Sequence, residues 1–159
     1  MHLIALGLAT ALAARSVCAQ NIDVRDAWVR ATVPGQTATG AFMKISAPAG
    51  ATLVAVASPL AGVAEIHEMK MDAGVMTMRA VRGGLDLPAG QTVEFKSGGR
   101  HVMLMDLKAV LRRDSSVALT LVFRDKAGSA LNVVLQVPVA NVSPFVGTAP
   151  QRLPSVHGH

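Results

Sequence analysis

The stretch AEIHEMKM (residues 64–71), DAG (72–74) and VMTMRAV (75–81) decides the fold. Neither flanking half keeps the i, i+3, i+4 spacing of an amphipathic helix, and Asp72-Ala73-Gly74 supplies the positive-φ position of a tight reversal. The stretch therefore predicts two strands joined by a hairpin turn. Outward from it, segments rich in Val, Thr, Ile and Phe recur about every ten residues, separated by Gly, Pro, Asp and Ser. They are Ile22 to Ala31, Thr39 to Ser46, Thr52 to Ser58, Gln91 to Phe95, His101 to Leu107, Ser116 to Phe123 and Ala130 to Val137. With the hairpin they predict an all-β protein, a Greek-key β-sandwich or barrel of about nine strands.

The 159-residue chain divides unevenly. Leu3 to Ala14 is an apolar run of signal-peptide length, too short to span a bilayer, and Val17-Cys18-Ala19 offers small residues for cleavage. Residues 1–19 are read as a signal peptide, residues 20–142 as one domain and residues 143–159, with Pro144, Pro150 and Pro154, as a flexible tail. Arg15-Ser16-Val17 is a poor lead-in for lipid attachment at Cys18. An exported monomer with no transmembrane segment after cleavage is expected.

Cys18, the single cysteine, leaves with the leader, so a mature metal site would have no thiolate. Losing Arg15 as well leaves fourteen Lys and Arg against ten Asp and Glu, a net charge of +4. Those cations are scattered and not interleaved with aromatics, which argues against a nucleic-acid reader.

Six of the eight methionines fall between Met69 and Met105, a stretch that holds His101 and begins two residues after His67. In a strand, alternate residues share a face, so His67, Met69 and Met71 project together, as do His101, Met103 and Met105. If Met71 and Met76 flank the turn, Met69 lies opposite Met78 and one face gathers His67 and four thioethers. Methionine commonly fills cores. Two His-x-Met strands and one Met-x-Met strand, with no other histidine outside leader and tail, point instead to a site for Cu(I), which favours thioether and imidazole. Spacing alone leaves Met69, Met71, Met76, Met78 and Met105 equal as the thioether nearest His67. Arg100 and Glu68 should face away from this site, and Trp28 reads as a core anchor.

Electron-transfer blue copper needs a cysteine ligand that the mature chain lacks. Two histidines are too few for a copper oxidase or dismutase, and hydrolase, zincin and Cys-x-x-Cys motifs are missing, so an enzyme is not expected. The remaining rival is an exported adhesion or scaffolding sandwich.

His67, a methionine eleven residues later, and the distant His101-Val102-Met103 resemble the mark of the periplasmic PCuA(C)-type copper chaperones. Ala27-Trp28-Val29-Arg30-Ala31-Thr32, Gly83-Gly84-Leu85, Pro88-Ala89-Gly90 and Gly98-Gly99-Arg100 resemble that family's framework. The resemblance spans roughly Asp26 to Pro138. It implies a cupredoxin-like sandwich holding one Cu(I) per chain through His67, Met78, His101 and Met103; Met69 and Met76, the alternatives to Met78, then become entrance residues. It further implies a periplasmic chaperone that passes copper to the CuA centre of cytochrome c oxidase subunit II, together with a Sco-type protein. Storage or detoxification without a dedicated recipient is the alternative. His157 and His159 in the tail are candidates for weak Cu(II) binding.

Overall fold

The computed structural model describes residues 21–145. Ten strands and no helix make up these residues: β1 Asp23–Arg30, β2 Ala38–Ser46, β3 Ala51–Ala57, β4 Ala61–Asp72, β5 Val75–Ala80, β6 Leu85–Leu87, β7 Thr92–Phe95, β8 His101–Leu107, β9 Ser116–Arg124 and β10 Ala130–Ala140. The strand missing from the sequence-based reading is β6. Its three residues, set between Gly84 and Pro88, are too few to show alternation. Pairing with Ala51 to Leu53 and a 2.9 Å bond from Thr52 Oγ1 to Asp86 Oδ1 hold it in place.

One layer runs β5-β4-β8-β2-β1, with β7 continuing along β2 where β8 leaves off, and the other runs β10-β9-β3-β6. A short parallel contact, Val29 opposite Val139 and Arg30 opposite Ala140, joins them. The all-β, cupredoxin-like sandwich is therefore as the sequence predicts. Period-two alternation builds the core, as β9 shows by burying Val117, Leu119, Leu121 and Phe123 and turning the residues between them outward. Opposite them lie Val29, Ala41, Met43, Ile45, Ile66, Val102 and Leu104 of the first layer, in one continuous apolar cluster.

The described residues include Ser143 to Phe145, which the sequence assigned to the tail; Phe145 is half-buried and lines a hollow beside Trp28 and Phe42. The expected leader and the tail histidines lie outside the described residues.

The β4–β5 hairpin has the register the ligand pattern requires. Its ladder runs from Asp72 opposite Val75, through Met71 opposite Met76 and Met69 opposite Met78, to His67 opposite Ala80. Ala73 and Gly74 make the two-residue connection with φ of 48° and 83°. Two successive positive values define a type I′ turn, whose twist matches that of the strands. A branched side chain at position 74 would be forced into the left-handed region at about 1–2 kcal/mol. Gly74→Val should therefore accelerate amide hydrogen exchange at Lys70 and Thr77 while leaving β9 and β10 protected; equal protection in the variant would show that the turn does not limit the hairpin.

Candidate metal site

β4 and β8 pair so that Ile66 meets Val102 on the core side and His67 meets His101 on the outer side. The imidazoles stand 6.1 Å apart between ring centroids. Hydrogen bonding fixes a different tautomer for each. His101, 8% exposed, places Nδ1 3.0 Å from the carbonyl oxygen of Gly99. A carbonyl only accepts, so Nδ1–H donates and the lone pair lies on Nε2. His67 places Nε2 3.0 Å from Glu65 Oε2, so Nε2–H donates to the carboxylate and the lone pair lies on Nδ1. That Nδ1 is buried without a hydrogen-bond partner, the one such side-chain nitrogen or oxygen among the described residues. Leaving a buried acceptor unsatisfied costs about 1–3 kcal/mol, a cost that an electron-pair acceptor bound at the site would remove.

Thioethers flank the imidazole row on both sides. Met103, two residues beyond His101 on the same face, lies across from Glu65 on β4 and Gly40 on β2. On the other side Met69 lies across from Met78, which places Met78 diagonal to His67. Met76 is a further row away, beside the turn. The structure thus joins His67 and His101 directly, sets Met103 next to them, and presents Met69 and Met78 as a neighbouring pair. No group of three or more His, Cys, Asp and Glu side chains able to hold a metal ion occurs among the described residues. Thioethers are the donors available to complete the imidazole pair.

Glu65 was not singled out from the sequence, although its position two residues before His67 places it on the same strand face. Arg100 and Glu68 meet each other at 3.9 Å on the opposite face, as alternation requires.

A family model for LpqE-like lipoproteins matches residues 22–139. Among solved structures, the copper-bound PCuAC domain from PmoF2 superposes with a TM-score of 0.59 at 27% identity, covering 74% of this chain and 91% of that one. The chain belongs to the LpqE-like, PCuAC-type family. The solution structure of CuI-DR1885 from Deinococcus radiodurans gives a TM-score of 0.58 at 30% identity, covering 79% of this chain and 82% of that one. Lxx21020 of Leifsonia xyli subsp. xyli, named as a lipoprotein, is 35% identical over 115 residues, which is 72% of this chain and 69% of the relative.

In this LpqE-like chain an aromatic row leads to the imidazoles. Trp28 and Phe42 stack at 4.8 Å between centroids, Phe42 lies 6.5 Å from His101, and the Arg30 guanidinium sits 5.2 Å above the Phe42 ring. Trp28 is buried, but outside the cluster between the layers: Ala27 and Val29 point into that cluster, and Trp28 takes the outer face. A cavity of about 230 Å³ lies alongside, bounded by Arg30, Phe42, Ser97, His101 and Met103. The Phe42 ring leans over Gly40, where an added Cβ would come within 2.8 Å of Phe42 Cζ. Gly40→Ala should push the ring away and shift the fluorescence of Trp28, the single tryptophan, at about 1–3 kcal/mol of stability. Unchanged emission would mean that the ring is free to move there.

Proposed function

We propose that this protein is an exported Cu(I)-binding metallochaperone, with His67, Met78, His101 and Met103 as ligands. The observation that carries the reading is the unpartnered, buried Nδ1 of His67, beside His101 on a face that also carries the thioethers of Met69, Met78 and Met103. Two neutral imidazoles and two thioethers carry no charge, so the set favours Cu(I) over Cu(II). The copper named in the PmoF2 and DR1885 structures supports the same cargo.

Glu65 and Gly99 act through the imidazoles: by accepting their N–H groups they hold the rings and leave one lone pair on each for the metal. Met78, half-exposed, gives a recipient a donor to displace first. A thiolate acceptor binds Cu(I) more strongly than a thioether, so stepwise exchange runs toward it. The recipient proposed here is the CuA site of cytochrome c oxidase subunit II, reached in the periplasm with the help of a Sco-type protein. His157 and His159 remain proposed weak Cu(II) donors.

Replacing Met78 and Met103 with Ile keeps the apolar bulk and should abolish the tight Cu(I) binding, read by competition with a Cu(I) chelator, while the circular dichroism stays unchanged. A double variant that still holds one Cu(I) at undiminished affinity would show the ligand assignment to be wrong. Mixing the Cu(I)-loaded protein with apo subunit II should produce the CuA absorption spectrum; no transfer, together with normal oxidase activity in a copper-limited deletion strain, would move the function to storage or detoxification.

A further inference from the structure

The proposed ligand set leaves three methionines of the hairpin unused. Met71 and Met76 are 61% and 48% exposed, and Met78 beside them is 50% exposed. A methionine that packs a core is buried there, so packing does not account for these side chains. Their alignment is also specific. The two-residue turn sets Met71 opposite Met76 and Met69 opposite Met78, giving two successive rows of thioethers on one face. Directly opposed residues stand about 4.5–5.5 Å apart and diagonal ones about 7–8 Å, distances that long side chains bridge.

The charged residues of the hairpin end lie elsewhere. Lys70, Asp72 and Arg79 alternate with the methionines and occupy the reverse face, where Arg79 pairs with Asp72 at 2.7 Å. The methionine face near the turn thus offers neutral, soft donors and no carboxylate, a combination that selects a soft monovalent cation.

We propose that the hairpin end is a second Cu(I) site, made by the thioethers of Met69, Met71 and Met76, open to solvent and weaker than the imidazole site. It rests on the copper reading for its cargo. Met78, opposite Met69 and a ligand of the imidazole site, makes the Met69–Met78 row common to the two sites. Copper that lands on the Met71–Met76 row can move to the Met69–Met78 row and then to the His67–His101 row, each about 7 Å further along the strands. At each step a bond from the metal to the next thioether sulfur or, in the last step, imidazole nitrogen forms as a bond to a thioether behind it breaks, and the metal stays Cu(I) throughout, so no electron or proton donor is needed.

The test uses the mature chain carrying His157→Ala and His159→Ala, so that the tail supplies no ligand. Titrated anaerobically with Cu(I) against chelators of graded affinity, it should take up one tight and one weaker equivalent. Met71→Leu with Met76→Leu should lose the weaker equivalent and keep the tight one. His67→Gln with His101→Gln should do the reverse. In ¹³C-methyl-methionine spectra, Ag(I) should move the Met71 and Met76 methyl signals with the second equivalent. Saturation at one equivalent, with Met71 and Met76 signals unmoved, would overturn the hairpin site and leave the imidazole site standing; the exposed methionines would then be a contact surface. A tight equivalent that survives the histidine substitutions would instead overturn the imidazole site, while loss of the weaker one in the leucine variant would still uphold the hairpin site.

Discussion

The pairing of β4 with β8 is the constraint on which the rest of the structure depends. Ile66, Val102 and Leu104 are buried against the second layer, each worth about 1.5–3 kcal/mol relative to exposure. Because side chains alternate across a strand, burying these residues forces His67, His101 and Met103 to the outer face. A slip of one residue would put imidazoles in the core and leave aliphatic side chains in water. The hydrophobic effect thus positions the polar donors, with no contribution required from the metal.

Onto that register two hydrogen bonds add chemical definition. Gly99 takes the Nδ1 proton of His101, and Glu65 takes the Nε2 proton of His67. The two rings therefore present different nitrogens. A backbone carbonyl and a side-chain carboxylate do this work by different routes: the first is fixed by the loop leading into β8, and the second by strand alternation alone.

The parts of this arrangement legible in the sequence are those encoded locally. Alternation and the turn at Ala73-Gly74 suffice to place Met69 opposite Met78, since both lie within one hairpin. Strand β6 escapes because three residues carry no period and its place depends on β3, more than thirty positions away. The row from Trp28 through Phe42 to His101 escapes for a similar reason. It requires the pairings of β1 with β2 and β2 with β8, including the irregularity between Arg25 and Trp28 that sets which residues of β1 face outward. Parity could have revealed Glu65, but not which histidine nitrogen it engages. The choice between Met69 and Met78 is not legible in the ladder, because both occupy the same row.

The exposure of the hairpin methionines has a further chemical consequence. Whatever reaches Met71, Met76 and Met78 from solvent includes peroxide as well as metal ions. Oxidation converts a thioether to a sulfoxide, a polar group with a hard oxygen donor in place of soft sulfur. The half-buried Met69, Met103 and Met105 are better shielded. Damage would then begin at Met71, Met76 and Met78 and reach the half-buried Met69 and Met103 last, and a methionine sulfoxide reductase would be the enzyme that restores it.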